Sequence, residues 1–267
     1  MEENQKHKIR AAVRENYGKI GAAAGSACGC STACCPSDSA NNPINISLTV
    51  GYSTEELTGV PEGANLGLGC GNPQAIASLK PGETVLDLGS GGGLDCFLAA
   101  KAVGSTGKVI GVDMSPEMIS RARQNAQTGG YTQIDFRLGE IEYLPVADSS
   151  VDVIISNCVI NLSPDKDQVF REAFRVLKPG GRLAVSDVVT IEELPPIFKE
   201  DMTLYTSCAA GAATIQELER FLQAAGFVQI RIQPKNESKS FIKDWSPGSK
   251  IEDYVVSAVI EAKKPSA

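Results

Sequence analysis

The chain has 267 residues, of which 42% are hydrophobic, and a formal net charge of −7. This length allows one large α/β domain, or a domain with a small appendage. The negative charge and the lack of a basic cluster argue against nucleic acid or an anionic membrane as a partner. No apolar run is long enough to span a bilayer, and the hydrophilic N-terminus lacks the apolar core of a secretory signal. We therefore expect a cytoplasmic protein whose eight cysteines are reduced.

The first 50 residues are predicted to be a helix followed by a cysteine-rich loop. Apolar residues recur at helical spacing over Asn4–Lys19, which predicts an amphipathic helix packed on the body of the protein. Gly21–Pro43 shows neither strand nor helix periodicity and is interpreted as a mobile loop. Four cysteines fall in it: Cys28, Cys30, Cys34 and Cys35.

A buried strand over Thr84–Leu88 is predicted to run into a glycine-rich turn and then a helix. The dinucleotide fingerprint Gly-x-Gly-x-x-Gly fails here, because its third glycine would fall on Leu94. The pattern that fits is Asp-x-Gly-x-Gly-x-Gly over residues 87–93. An acidic residue late in the first strand, before such glycines, resembles the S-adenosylmethionine-dependent methyltransferases.

The second predicted strand, Lys108–Asp113, ends on a carboxylate 22 residues after Gly91. At about this spacing an acidic residue accepts hydrogen bonds from ribose hydroxyls. Its alternative role would be to cap the next helix. Ser115 followed by Pro116 suits that role better, so Asp113 is available to a ligand.

The rest of the chain alternates strands and helices until residue 190, which predicts parallel βαβ units. Further strands are predicted at Gln133–Leu138, Val151–Ser156, Arg182–Val189 (after a turn at Lys178–Gly181), Val228–Gln233 and Tyr254–Ala262. The expected fold is α/β: a doubly wound, mostly parallel, Rossmann-like sheet with an antiparallel C-terminal edge. Residues 51–190 would form the donor-binding domain, and residues 191–267 a lid together with the strands that complete the sheet.

Three cysteines lie where such a sheet binds ligands, beyond the carboxyl ends of its strands. Cys158 follows the fourth strand, Cys70 precedes the first, and Cys208 lies in the segment after the fifth. We hypothesise that their thiols converge beside the methyl donor. The alternative is that each cysteine is a small buried apolar residue, which is common for free cysteine.

The chemistry of three thiols limits the kinds of ligand that they could bind. Structural zinc takes four ligands, usually with Cys-x₂₋₄-Cys spacing, and these cysteines form no such pair. His7 is the only histidine and lies in the predicted N-terminal helix. Trivalent arsenic is thiophilic, and three As–S bonds leave a nucleophilic lone pair. Because arsenic hydroxides and thiols condense with loss of water, no general base is required.

Four segments closely resemble the arsenite S-adenosylmethyltransferases: Leu66–Pro73, Val85–Asp95, Ser156–Leu162 and Cys208–Ala212. The resemblance covers roughly Tyr52 to the C-terminus. It implies that S-adenosylmethionine is the cofactor and that Cys70, Cys158 and Cys208 bind As(III). Arsenite and methylated As(III) compounds would then be the substrates. A reductant such as thioredoxin or glutathione would be required, because the reaction oxidises either arsenic or the protein thiols.

The resemblance also implies that Gly139–Ile141 lies against the adenine of the donor. The candidate donor-binding residues are Asp87, Gly89, Ser90, Gly91, Asp113, Met114, Glu140, Ile141 and Asn157. The chain differs from the family in its N-terminal region. None of the four cysteines in the loop at residues 21–43 can be aligned individually as the redox partner of Cys70. Two other functions stay open: methylation of a small organic acceptor, and thiol binding of As(III) without catalysis.

Overall fold

The computed structural model describes residues 2–23, 42–199, 201–246 and 248–266. The cysteine-rich loop with Cys28, Cys30, Cys34 and Cys35 lies outside these ranges. The helices are α1 (Glu3–Ala23), α2 (Pro43–Thr49), α3 (Thr54–Thr58), α4 (Gln74–Ala77), α5 (Leu94–Val103), α6 (Pro116–Gly129), α7 (Lys166–Val176), α8 (Pro196–Lys199), α9 (Met202–Thr206), α10 (Ile215–Ala225) and α11 (Lys239–Ile242). The strands are β1 (Thr84–Leu88), β2 (Lys108–Asp113), β3 (Ile134–Leu138), β4 (Val151–Asn157), β5 (Leu177–Thr190), β6 (Ala213–Thr214), β7 (Val228–Lys235) and β8 (Val255–Lys263).

One sheet runs through the molecule in the order β3-β2-β1-β4-β5-β8-β7, and the short β6 pairs with β5. The pairs up to β5 and β6 are parallel. The pairs of β8 with β5 and with β7 are antiparallel. The predicted α/β fold with an antiparallel C-terminal edge is thus confirmed. The strand order reverses between β1 and β4, which is the point at which such sheets bind ligands.

The central strands are buried on both faces, as their continuous apolar runs predict. In β4, Val153 and Ile155 belong to one core cluster, while Ile154 lies in the cluster on the opposite face. Helix α5 carries Cys96, which is fully buried in the core. The glycine loop between β1 and α5 therefore rests on rigid elements.

The turn predicted before the fifth strand is wrong. The turn expected at Lys178–Gly181 lies inside β5, where the pairing with β4 shifts register between Val151 and Val153. Gly180 has a φ of +79° and donates its N–H to Lys264 O at 3.1 Å, so the segment is a bulge held by the chain beyond β8. Helix α4 ends at Ala77, because the next residue, Ser78, has a left-handed backbone with a φ of 47°.

Helix α1 lies across the sheet end and packs against α6 and α9. It is longer than the predicted Asn4–Lys19 and has Val13 as a fully buried contact. Helix α10 begins with a capping box, in which Thr214 and Glu217 each accept a hydrogen bond from the other's backbone N–H. Within the described ranges, no helix is long and apolar enough to cross a membrane.

Candidate active site

A cavity of about 660 Å³ opens at the carboxyl ends of β1 and β4. Ten of the twelve predicted site residues line it: Asp87, Gly89, Ser90, Gly91, Asp113, Met114, Ile141, Asn157, Cys158 and Cys208. Cys70 follows Gly69, which lines the cavity, and the Glu140 carboxylate pairs with Arg14 of α1. The cavity is therefore the place where the predicted donor and acceptor residues meet.

The glycine loop lines the half of the cavity where the sequence predicts the donor, which we call the donor half; the half with the three cysteines is called the acceptor half. Gly91 has a φ of +50°, and a Cβ built on it would meet no atom within 4 Å, so the loop leaves open space there. The Gly91 N–H donates to Asp113 Oδ2 at 2.9 Å, and the Ser115 N–H donates to Asp113 Oδ1 at 2.9 Å. Ser115 Oγ caps α6 as predicted, by accepting from the Met118 N–H. Asp113 is thus held at the end of β2 with lone pairs still free for a ligand.

Two polar groups of this half have incomplete protein partners. The Ser90 hydroxyl is buried and has no hydrogen-bond partner among the described residues. Asp87 is buried, and its pKa is raised well above the usual range by burial and by the nearby Asp95 carboxylate. A buried polar atom without a partner is costly, which favours a polar ligand in this position. The loop, the carboxylates and the free hydroxyl fit a donor with ribose and amino acid groups.

The wall after β3 differs in detail from the prediction. Ile141 is buried and lines the cavity, whereas Glu140 forms an ion pair with Arg14 at 2.8 Å. Sequence reasoning missed Glu142, whose buried carboxylate accepts from Arg10 Nε at 3.3 Å and from Ser163 Oγ at 2.7 Å. No local pattern marks it, because both partners are distant in sequence.

The acceptor half brings together the three predicted cysteines. Cys70, Cys158 and Cys208 have relative exposures of 2%, 8% and 2%. The Cys208 thiol donates to Cys158 O at 2.8 Å. The sulfurs of Cys70 and Cys158 lie within 4.8 Å of each other. Three loops that are far apart in sequence therefore bring the three cysteines into one buried cluster.

Two of these cysteines have left-handed backbones. The φ angles are 59° at Cys158 and 66° at Cys208, a region that non-glycine residues seldom adopt. The turns are held by the Cys158 N–H, which donates to Ser186 O at 2.8 Å, and by the Cys208 N–H, which donates to Tyr205 O at 3.0 Å. Backbone strain of this kind concentrates at functional sites.

The pKa of the Cys158 thiol is raised well above its ordinary value, first by hydrogen bonds with Cys208 and Cys70 and then by burial. Burial also raises the pKa of Cys70. Both groups are therefore thiols and not thiolates at neutral pH. They suit a ligand that takes up sulfur with loss of its own hydroxide, because the thiol proton then leaves in water.

Asp187 on β5 is a further group that sequence reasoning missed. One of its carboxylate oxygens and the sulfurs of Cys70 and Cys158 lie within 4.8 Å of one another. The carboxylate accepts from the Val188 N–H at 2.8 Å and from Asn161 Nδ2 at 2.9 Å, and burial raises its pKa to about 6. The signal available was the polar pair Ser186–Asp187 inside the otherwise apolar run from Leu183 to Val189.

Helix α1 covers the cavity with Arg10, Val13 and Tyr17. Tyr17 Oη donates to Thr206 O at 3.1 Å, two residues before Cys208. Trp245, which follows α11, completes the wall on the acceptor side. These contacts join segments far apart in the chain and leave no local pattern.

A methyltransferase domain model matches residues 79–226 of the chain. An arsenite methyltransferase of Halobacterium salinarum is 48% identical over 97% of this chain and 67% of its own length. The human arsenite methyltransferase is 40% identical over 57% of this chain, and the match spans 43% of the length of that relative.

The structure is similar to that of an arsenic(III) S-adenosylmethionine methyltransferase from Chlamydomonas reinhardtii. The TM-score is 0.62 at 33% identity, with 84% of this chain and 74% of the other covered. The family resemblance stated above is thus confirmed over nearly the whole chain. The chain belongs to the arsenite methyltransferase family, and its cofactor is S-adenosylmethionine.

Proposed function

We propose that this protein methylates trivalent arsenic, converting arsenite to methyl- and dimethylarsenicals while Cys70, Cys158 and Cys208 hold the arsenic. The observation that carries the proposal is the clustering of three buried cysteines beside the glycine loop that lines the same cavity. The names of the relatives support the choice of arsenic as the acceptor.

Binding of arsenite balances without a base. Three thiols and As(OH)₃ give three As–S bonds and three molecules of water, so each thiol proton leaves on a hydroxide of the substrate. The raised pKa of Cys158 agrees with this chemistry, because the sulfur keeps its proton until the substrate removes it. Three sulfurs around arsenic leave one lone pair, and that lone pair is the nucleophile.

S-adenosylmethionine supplies an electrophilic methyl group carried on a sulfonium. In our proposal Asp87, Ser90 and Asp113 bind the donor, and the three cysteines fix the arsenic beside it. Positioning of two reactants can lower a barrier by roughly 7–11 kcal/mol. Val13 and Tyr17 of α1 cover the cavity and exclude water from the reacting atoms.

The transfer uses the arsenic lone pair and so raises arsenic formally from As(III) to As(V). Two electrons must then return, either from a thiol pair of the protein or from an external dithiol or glutathione. We propose that a thiol reductant of the thioredoxin or glutathione class closes the cycle. Methylated As(III) products would re-enter as substrates, and a cytoplasmic location stays a prediction.

The test is transfer of labelled methyl from S-adenosylmethionine to arsenite with excess thiol, followed by separation of the arsenic species. We expect label in methylarsenicals, and none when the acceptor thiols are blocked beforehand with a maleimide. If the donor binds but no label reaches arsenic, the proposal is wrong and small organic acceptors become the next candidates.

A further inference from the structure

The side chain of Asn157 lies inside the loop that carries Cys70. Its Oδ1 accepts the Cys70 N–H at 3.0 Å, and its Nδ2 donates to Gly71 O at 2.7 Å. A Cβ built on Gly69, whose φ is +133°, would lie 2.7 Å from Asn157 Nδ2. The loop therefore wraps so closely around the amide that only glycine fits at this position.

The second N–H of Asn157 Nδ2 donates to Tyr52 Oη at 2.9 Å. Tyr52, which precedes α3, is buried, and its hydroxyl lies 2.9 and 3.0 Å from the two carboxylate oxygens of Asp95. A continuous chain of hydrogen bonds thus runs from Asp95 through Tyr52 and Asn157 to the backbone of Cys70.

The direction of these bonds fixes the orientation of the amide. A carboxylate only accepts hydrogen bonds, so the Tyr52 hydroxyl must donate its proton to Asp95. The Tyr52 oxygen can then only accept, and it accepts from Asn157 Nδ2. If the amide were reversed, Oδ1 would face Gly71 O and a tyrosine oxygen that has no proton to offer. Asp95 and Tyr52 therefore determine that Oδ1 points to the Cys70 N–H.

The Asn157 side chain uses both of its N–H groups and its oxygen on protein partners. The other backbone group of Cys70 is held as well, since Ser257 Oγ donates to Cys70 O at 2.6 Å. The loop between Gly67 and Gly71 belongs to no helix or strand. These bonds are what hold the Cys70 thiol beside Cys158.

We propose that Tyr52 is a positioning residue for Cys70, acting through Asn157, and that the Asn157 side chain serves the acceptor thiol and not the methyl donor. This inference rests on the proposed function, because it assigns Cys70 to the arsenic site. It revises the sequence-based assignment of Asn157, which placed that side chain among the donor-binding groups.

The first test is Tyr52→Phe, which keeps the ring and removes the hydroxyl. We expect the arsenite KM to rise about tenfold, as for the loss of one buried hydrogen bond. The dissociation constant for S-adenosylmethionine, measured by calorimetry, should stay within about twofold. Tyr131→Phe is the matched control, because Tyr131 is a partly buried tyrosine that packs on Phe97 and does not line the cavity.

A second readout does not depend on activity. The alkylation rates of Cys70 and Cys96 are measured by mass spectrometry after a maleimide pulse. In the wild type both are buried, at 2% and 0% exposure. Loosening of the Cys70 loop in Tyr52→Phe should speed alkylation of Cys70 about tenfold and leave Cys96 unchanged. This readout is informative even if the wild type does not methylate arsenite.

A double-mutant cycle with Asn157→Ala tests the route through the amide. Because Tyr52 acts only through Asn157, Tyr52→Phe added to Asn157→Ala should change Cys70 alkylation by less than about twofold. Additive effects of the two substitutions would overturn the proposal. So would unchanged Cys70 alkylation in Tyr52→Phe, or a loss of donor affinity as large as the loss for arsenite. If Tyr52→Phe does not fold, Asn157→Ala alone must raise Cys70 alkylation while donor binding is kept, and the proposal is wrong if it does not.

Discussion

A left-handed backbone at Cys158 and Cys208 is held against a cost of about 1–3 kcal/mol at each residue. The surrounding contacts must supply that energy, since the thiols themselves gain nothing from the strain. The strain therefore has a direct effect on stability that can be measured separately from catalysis.

We expect Cys208→Gly to be more stable than Cys208→Ala by about 1 kcal/mol, because glycine adopts a positive φ without steric cost. Urea unfolding of the two variants measures the difference. At an ordinary helical or extended position the order would be reversed, so a more stable alanine variant would contradict the argument. Both variants should lose the acceptor function equally.

The thiols themselves are tested by Cys158→Ser and Cys208→Ser. Each substitution should lower the rate of arsenite methylation by more than about 100-fold, because arsenic that is not held in place no longer benefits from the lower barrier of correctly positioned reactants. Cys96→Ser is the control, since Cys96 is buried outside the three-thiol cluster and serine can also donate to Asp87. Near-normal turnover in either site variant would refute the three-thiol site.

Asp187 gives a pH dependence. Its folded pKa of about 6 exceeds the ordinary 3.8, so the folded state binds the proton more tightly than the unfolded state. The carboxyl therefore adds stability as the pH falls through 6, and that contribution is lost as the pH rises. We compare the free energies of unfolding of the wild type and of Asp187→Asn without arsenite. When the pH is lowered from 7.5 to 5, the wild type should become more stable relative to the variant by about 1 kcal/mol. Urea unfolding at both pH values measures this difference, and a difference that does not change would contradict the assignment.

At the scale of single elements, α1 is the unit that joins the two halves of the site. Arg10 and Arg14 lie four residues apart and reach the segment after β3, while Tyr17 reaches the end of α9, just before Cys208. One rigid helix thus contacts the donor wall and the acceptor loop together. Displacement of α1 would open both at once.

The two arginines should differ in their effect on stability. Arg10 pairs with the buried carboxylate of Glu142, whereas Arg14 and Glu140 are both partly exposed. Arg10→Met should destabilise by about 2–4 kcal/mol, because among the described residues it leaves the buried Glu142 carboxylate with the Ser163 hydroxyl as its remaining side-chain hydrogen-bond partner. Arg14→Met should cost less than about 1 kcal/mol. Thermal and urea unfolding distinguish the two, and equal losses would contradict this reading of α1.

At the scale of the whole molecule, the antiparallel strands are part of the main sheet. Strand β8 pairs with β5 along nine residues, from Arg182 to Thr190, and β7 then covers the outer edge of β8. The division into residues 1–50, 51–190 and 191–267 stays a prediction. The pairing of β5 with β8 indicates that the middle segment depends on the last.

We therefore expect residues 51–190 expressed alone to lack a cooperative unfolding transition. Removal of residues 191–267 would expose the β8-facing edge of β5, and unpaired edges promote aggregation. Calorimetry and near-ultraviolet circular dichroism test this, with the full chain as the control. A sharp heat-absorption peak from the isolated segment would show that it is an independent domain.

The parts of the fold that the sequence predicts correctly are those with local causes. The bounds of β1 and β2 match, because each is a buried apolar run that ends at a glycine or a carboxylate. The meeting of Cys70, Cys158 and Cys208 follows from topology, since each lies in a loop near the strand reversal. The bulge in β5 was missed because Lys178–Gly181 has the composition of a turn, and only the contact with Lys264 makes it part of a strand.

No local sequence pattern indicates the roles of Tyr17, Tyr52 and Glu142. Each depends on partners more than 20 residues away: Tyr17 on Thr206, Tyr52 on Asp95 and Asn157, and Glu142 on Arg10. A tyrosine in an amphipathic helix has the same local pattern whether it packs on a core or covers a cavity. The closing contacts of a site are therefore the part that periodicity does not reveal.

Trp245 gives the protein a built-in optical reporter. It is the one tryptophan of the 267 residues, it shares the cavity wall with Cys158 and Cys208, and its ring centre lies 6.0 Å from that of Phe241. Excitation at the red edge of the protein band selects its emission alone. Binding of arsenic to the cysteine sulfurs in the cavity should quench that emission. Binding of the donor should shift its emission maximum. Stopped-flow fluorescence of the unlabelled protein can then measure the binding rates of arsenic and of the donor separately.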